Sequence, residues 1–428
     1  MEIALYIHLP FCAKRCDYCD FFSTAPFSSV RDSYVSALIN QAFYYKKKYN
    51  ISAWKTIYIG GGTPSLLSSS QITFLVNSLV SMNDKNFFTK EITMEVNPES
   101  LTEEKIITLQ NSFVTRLSVG IQSLNQKALD CVSRLCTSEQ ALQGLELIKT
   151  YWQKDFSTDS IAGLPFQSEA EFILSMEKIR EYKPSHFSLY TLTLEEETPL
   201  YRKVCKGLKF DSDEADRQWL TGKKFLNENG YEQYEVSNFS KKGKECLHNL
   251  SYWQQEPYLG LGSGAVGTLY FASGNEDDEN APGIIPADTC ENFSGVRWTN
   301  TKNISLYENF WNKYTRKCIE ENAASIQEID EKLSSVIEKE ILSDSDLELE
   351  YLMMGFRSLK GVCAETYEKR FASLEWKGNI SRRLGEEKGV WKDFSKNNLA
   401  YKYNDNGKTF YALNEEGLLF LNKFLLDL

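Results

Sequence analysis

Cys12, Cys16 and Cys19 follow a short apolar run in IALYIHLPFCAKRCDYCDFFS. This C-x-x-x-C-x-x-C spacing offers three thiolates from one tight loop, with no evident fourth donor nearby. A structural zinc ion takes four protein ligands in a closed tetrahedron. A [4Fe–4S] cubane is usually held by four cysteines, so three leave one iron open to an exogenous ligand. A zinc loop would need His8 or a distant cysteine to complete it. His8 precedes Cys12 on the strand itself, poorly placed to wrap round, so the incomplete set reads as a cluster built to hold something else.

Other residues of chemical interest recur at comparable places. Gly60-Gly61-Gly62-Thr63-Pro64 follows a second strand. A glycine run there either forms a tight turn or lets a ligand approach the backbone, since no Cβ intervenes. Glu95 lies in TMEVNP, on a strand expected to be buried on both faces. A buried carboxylate needs a partner or loses its charge, and Arg116 or Arg134 could supply one. Gln122 and Asp159 complete a polar set near the ends of successive strands. Lys14 and Arg15 sit between the cysteines as a basic pair on an acidic chain. They are either solvated charges or a docking point for an acidic electron donor of the flavodoxin or ferredoxin kind.

These residues require a scaffold that brings strand ends together. Apolar β-branched runs are expected to form strands at Ala4–Leu9, Thr56–Ile59, Glu91–Val96, Thr115–Val119, Ser157–Ile161 and His186–Tyr190. Amphipathic segments between them predict helices at Arg31–Tyr49, Ser70–Met82, Glu103–Asn111, Ser138–Trp152 and Glu169–Tyr182. Such alternation implies right-handed crossovers and a parallel sheet, open or curled into a partial barrel. Ligands in parallel α/β folds gather at the carboxyl ends of strands, where the unusual residues fall.

The chain is divided into residues 1–200, a partial barrel; 201–302, an extension and linker; and 303–428, a helical domain. Asp213–Asn229 reads as a helix, YEQYEVSNFS as a strand and GLGSGAVGT as a glycine-rich turn. An acidic insertion is expected at about 272–296. Asn404-Asp405-Asn406-Gly407 predicts a hairpin turn, and NEEGLLFLNKFLLDL an amphipathic helix. Helices plus a hairpin suggest a winged-helix-like α+β tail.

With 428 residues, 42% hydrophobic and 25% charged, the composition is that of an ordinary globular protein. Ten cysteines are too sparse for a disulfide scaffold, and their clustering near the start points to metal binding. A net charge of −11 argues against sequence-independent nucleic-acid binding and against adhesion to anionic membranes. With no signal peptide and no membrane-spanning run evident, a cytoplasmic location is expected.

YIHLPFCAKRCDYCDFFS, GGGTPS, TMEVNPES, RLSVGIQS, DSIAGLP, HFSLYTL, YEQYEVSNF, HNLSYW and EYLMMGFRSLKGV together resemble the oxygen-independent coproporphyrinogen III oxidase family of the radical S-adenosylmethionine (SAM) superfamily. Within it they are most similar to the haem chaperone, HemW-type, branch. The resemblance covers nearly the whole chain except the acidic insertion and a diverged stretch around 365–397. It implies a (β/α)6 partial barrel, with Cys12, Cys16 and Cys19 holding a [4Fe–4S] cluster whose open iron chelates SAM. It also implies that Gly61, Gly62 and Thr63 meet the SAM amino group through their backbone. Glu95, Gln122, Arg134 and Asp159 would grip the amino-acid end and the ribose. Tyr6 would pack on the adenosyl group, or simply fill the core.

Two residues past the third cysteine the oxidase carries a fourth cysteine, whereas this chain has Phe21. That difference favours a chaperone that binds haem and passes it to a client protein over the oxidase, which decarboxylates coproporphyrinogen III. His248 in HNLSYW matches a histidine implicated in haem binding; Cys246 is a competing ligand, and a linker hydrogen bond is the plainer role. The family places histidines where Cys136 and Val266 stand here, so haem handling is expected to be altered.

Overall fold

The computed structural model describes residues 1–25, 27–272, 293–321, 324–372, 374 and 378–428. Six parallel strands form its centre in sequence order: β1 (Glu2–Leu9), β2 (Ala53–Gly61), β3 (Glu91–Val96), β4 (Arg116–Gln122), β5 (Asp155–Ala162) and β6 (His186–Thr191). Between them run α1 (Asp32–Lys48), α2 (Ser69–Val80), α3 (Glu103–Gln110), α4 (Gln126–Cys131), α5 (Ser138–Tyr151) and α6 (Glu169–Arg180). The short α4 was not foreseen. β1 and β6 each pair with other strands rather than with one another, so the barrel is partial.

The two faces of these strands differ. Leu5, Ile7, Ile57, Ile59, Met94, Val96, Leu117 and Val119 are fully buried beneath the helices. The alternate residues Tyr6, Tyr58, Glu95, Arg116, Ser118 and Asp159 face the lumen and are polar, as the period of two dictates. A barrel interior is normally filled with branched apolar side chains. A polar interior therefore marks a place prepared for a ligand. Reciprocal capping boxes at Ser68, Thr137 and Ser168 start α2, α5 and α6 where the sequence breaks from strand to helix.

Beyond β6 come α7 (Pro199–Cys205), α8 (Ser212–Glu228), β7 (Glu232–Gln233), β8 (Asn238–Ser240), α9 (Leu247–Trp253), β9 (Tyr258–Leu261), β10 (Val266–Ala272) and β11 (Phe293–Asn300). YEQYEVSNFS, expected as one strand, is a hairpin: the Tyr234 amide donates to Asn238 O across the turn. The supposed glycine turn GLGSGAVGT is the link between β9 and β10. Residues 273–292 of the acidic insertion lie outside the described residues. Its expected end at 296 is corrected, because Phe293–Val296 pair with Leu269–Ala272 as strand.

The expected boundary at 303 also differs from the packing. α10 (Ile304–Lys313), α11 (Arg316–Glu321) and α12 (Ala324–Lys332) join the barrel's core through Tyr307, Trp311 and Ile329. β12 (Ile337–Leu342) then ends the twelve-stranded sheet. A second core gathers α13 (Asp344–Gly355), β13 (Val362–Cys363), α14 (Ala364–Arg370), α15 (Ile380–Leu384), α16 (Val390–Lys396), β14 (Ala400–Asp405), β15 (Lys408–Leu413), α17 (Glu415–Leu418) and α18 (Leu421–Leu426). Its three-stranded sheet runs β13-β15-β14, with Asn406 and Gly407 at positive φ in the foreseen hairpin turn. The terminal helix expected from NEEGLLFLNKFLLDL is split in two at Leu419 and Phe420.

Candidate cluster and cofactor site

The cysteine loop leaves β1 and is tied down on several sides. Backbone bonds join Cys12 N to Thr24 O and Phe27 N to Cys12 O, both at 2.9 Å. Asp17, between the cysteines, has its amide on Val132 O and its carboxylate on Ser133 Oγ and Lys203 Nζ. α4 and α7 thus position the loop, a role that no sequence pattern signals. Cys12 and Cys16 are buried and Cys19 is half-buried. Burial pushes the Cys19 thiol up, and the neighbouring Cys16 and Cys12 add to the shift.

The zinc alternative fails at His8. Its Nδ1 meets Tyr6 Oη and its Nε2 meets Phe22 O, both at 2.9 Å, so neither ring nitrogen is free. Burial also lowers the His8 pKa, keeping the ring neutral. Moreover, among the described residues no three His, Cys, Asp or Glu side chains gather closely enough to hold a single metal ion. In a cubane each cysteine serves a different iron, which suits thiols that stand apart on one loop.

The glycines also have a structural part, which leaves the expected backbone contact with an amino group to their carbonyls. A Cβ on Gly61 would lie 2.6 Å from His8 Nδ1, and one on Gly62 would lie 2.6 Å from Phe11 O. The Gly61 amide donates to Glu95 Oε2, that of Gly62 to Leu9 O and that of Thr63 to Phe11 O. The run therefore clamps the cysteine loop against β2, and its amides are occupied by protein. Gly61, Gly62 and Thr63 can meet a ligand only through carbonyls or the Thr63 hydroxyl, itself 3.7 Å from Cys12 Sγ.

Glu95 and Asp159 converge from β3 and β5 across Ser118 of β4. Glu95 accepts from Tyr58 Oη at 2.9 Å, so neither suggested arginine pairs with it. Arg116 binds Glu91 instead. Burial, with the Asp159 charge adding, raises the Glu95 pKa to about 7. Asp159 is raised to about 6 by burial, against hydrogen bonds from Ser188 and Ser118. Both keep some accessible surface, so they are carboxylates awaiting a counter-charge rather than sealed in the core.

Arg134 reaches over the end of β4. Its Nη2 donates to Gly120 O at 2.7 Å and to Asn97 Oδ1 at 3.0 Å, while Nη1 lies 3.7 Å from Cys16 Sγ. Its Nε is buried with no partner, a donor that an anionic ligand could take. Gly120 makes this possible: a Cβ there would lie 2.9 Å from Asn97 Oδ1 and 3.1 Å from Arg134 Nη2. Gln122, at φ +69°, turns its amide into the same cluster, a strained non-glycine backbone of the kind that functional sites keep. Tyr6 stacks on Tyr58 beneath, at 6.2 Å between ring centres. Gly120 and Tyr58 escaped the sequence reading. Tyr58 was findable, since it shares lumen parity with Glu95.

His248 lies beneath this site, stacked on Tyr58 at 5.2 Å between ring centres. It is 1% exposed, with Nδ1 on Thr56 Oγ1 at 2.8 Å and Nε2 on Tyr252 Oη at 2.9 Å. Burial drives its pKa down to about 3. With both nitrogens engaged by protein, the arrangement favours the plainer hydrogen-bonding role over haem ligation. Cys246 is equally enclosed, its thiol donating to Glu91 Oε1, and burial pushes it up.

The model of the Radical SAM superfamily matches residues 6–179. The heme chaperone HemW of Buchnera aphidicola subsp. Schizaphis graminum is 31% identical over 425 residues, covering 99% of this chain and 97% of that one. The chain belongs to the HemW family. HemW of Escherichia coli K12 is 36% identical over 273 residues, 64% of this chain and 71% of that relative. Among solved structures, Escherichia coli coproporphyrinogen III oxidase HemN superposes with a TM-score of 0.68 at 18% identity, over 99% of this chain and 89% of that one. That likeness is one of fold. As a radical SAM protein of the HemW family, the chain has a [4Fe–4S] cluster and SAM as cofactors. The three thiols on one loop, the unpartnered Arg134 Nε and the two half-buried carboxylates fit that pair.

Proposed function

We propose that this protein is a haem chaperone, binding haem and delivering it to a client haemoprotein. The observation that carries this reading is the end-to-end relationship to a HemW chaperone. Phe21 agrees with it: the ring is 71% exposed at the position where the oxidase resemblance calls for a fourth cysteine.

In this reading Cys12, Cys16 and Cys19 ligate the cluster and leave one iron for SAM. When reduced, that cluster supplies one-electron chemistry. The protein's own part is to hold and orient. Arg134 Nε meets the SAM carboxylate, Glu95 its ammonium and Asp159 its ribose hydroxyls, with Gln122 beside them and Tyr6 under the adenosyl group. Lys14 and Arg15 are exposed, and Arg15 donates to Cys19 O at 2.9 Å, which puts positive charge on the cluster loop. They receive an acidic electron donor. Among the described residues no helix is long and apolar enough to cross a membrane, and a reducible cluster belongs in the cytoplasm.

The test is to incubate anaerobically reconstituted, reduced protein with SAM and coproporphyrinogen III, and to titrate it with haem in parallel. Haem binding without decarboxylation is expected. Formation of protoporphyrinogen IX would replace the chaperone reading with the oxidase.

A further inference from the structure

Arg134 reaches Cys16 and Cys12 by separate routes. Directly, its Nη1 lies 3.7 Å from Cys16 Sγ. Indirectly, its Nη2 donates to Asn97 Oδ1 at 3.0 Å, Asn97 Nδ2 donates to Thr63 Oγ1 at 3.3 Å, and Thr63 Oγ1 lies 3.7 Å from Cys12 Sγ. The direction of this chain follows from the groups in it. A guanidinium only donates, so Asn97 must turn its oxygen to Arg134 and its amide nitrogen to Thr63. The Thr63 hydroxyl then accepts on one side and keeps its proton for the sulfur. Every link points the same way, from positive charge to sulfur, and bonds aligned in that manner polarise one another. Backbone fixes the parts: Arg134 Nη2 also holds Gly120 O at 2.7 Å, and Asn97 N donates to Ser65 Oγ at 3.0 Å. The third thiol, Cys19, takes the Phe21 amide and lies on neither route.

Donors aimed at the sulfurs of an iron–sulfur cluster stabilise its more negative, reduced form and raise its potential. The same guanidinium keeps its Nε buried and without a partner. Resting on the residue roles proposed above, in which that Nε meets the SAM carboxylate, we propose that Arg134 and Asn97 couple SAM binding to the potential of the cluster. Before SAM binds, the full positive charge acts on Cys16 and, through Asn97 and Thr63, on Cys12. A carboxylate on Nε neutralises that charge where it stands, so its pull on both sulfurs weakens. Linkage makes the effect reciprocal: the electron delivered to the cluster and the SAM carboxylate compete for one guanidinium. Asn97 acts through its neighbours, as a positioning residue that extends the charge from one thiol to a second.

The experiment uses the full-length protein with its cluster reconstituted anaerobically. Its midpoint potential is titrated with titanium(III) citrate and followed by electron paramagnetic resonance, without SAM and at saturating SAM. Arg134→Gln is expected to lower the SAM-free potential and to move the SAM-bound potential far less. The ratio of SAM dissociation constants for oxidised and reduced protein then changes about tenfold, or about 59 mV for a one-electron couple. Arg134→Lys keeps the charge and should fall between wild type and Arg134→Gln. Asn97→Ala cuts only the route to Cys12, so it should repeat the pattern at smaller amplitude; it also carries the test should Arg134→Gln fail to take up iron. Lys149→Gln, on the outer helix α5, should move neither potential. If Arg134→Gln shifts both potentials equally, or neither, the coupling is overturned while the cofactor assignments stand. Wild-type potentials in Asn97→Ala would remove Asn97 from the link. A wild-type protein that takes up no cluster or binds no SAM overturns the residue roles themselves, and this proposal with them.

Discussion

Arg134 shows how much one side chain can be asked to do here. Two of its nitrogens are spent on Gly120 O, Asn97 and Cys16, leaving Nε as the buried donor that needs a ligand. Lysine keeps the charge but loses the planar fork. Arg134→Lys should therefore weaken SAM binding about tenfold, or ~1.4 kcal/mol, with iron content unchanged; calorimetry showing equal affinity would remove Arg134 from the SAM site. Glu95 carries a pH signature. Its carboxyl titrates near 7 in the folded protein, against an ordinary 4.5. The folded state then binds the extra proton between those values, so this group makes stability fall as pH rises from about 4.5 to 7. Glu95→Gln should flatten that decline in urea unfolding of the cluster-free protein. Because the ionised carboxylate is the form that meets an ammonium, SAM affinity should also climb from pH 6 to 8 in the wild type. It should stay level in the variant.

At the scale of elements, the β2 turn and the α9 cap hold the ends of the barrel. Gly61 sits at φ +112° with His8 against it, so Gly61→Ala meets both backbone strain and a clash. Gly207, at φ +103° with nothing within 4 Å, isolates the strain alone. We expect Gly61→Ala to cost about 2 kcal/mol more than Gly207→Ala in chemical denaturation. At the other end Glu91 accepts the Leu247 and His248 amides and pairs with Arg116 at 3.2 Å. Arg116→Met leaves a buried carboxylate uncompensated and should cost about 3–5 kcal/mol. The six strands and five of the helices were legible because a period of two or 3.6 is local information. The cysteine spacing was legible for the same reason. The surroundings of His248 and of the glycine run, and the short α4, were not legible, because residues distant in sequence decide them: Thr56 for His248, His8 and Phe11 for the glycines.

For the whole molecule, charge placement matters more than total charge. On an acidic chain the proposed docking point for an acidic electron donor is the exposed pair Lys14 and Arg15 on the cluster loop. Reversing both, K14E/R15E, should slow cluster reduction by a flavodoxin-type donor about tenfold at low salt while dithionite reduction stays unchanged; equal rates with the protein donor would discard the docking point. The seal that His248, Tyr252 and Thr56 make across the lumen has a separate consequence. It closes the amino end of the six-strand wall, so a ligand reaches the polar interior from the carboxyl ends of the strands or along the open side of the partial barrel.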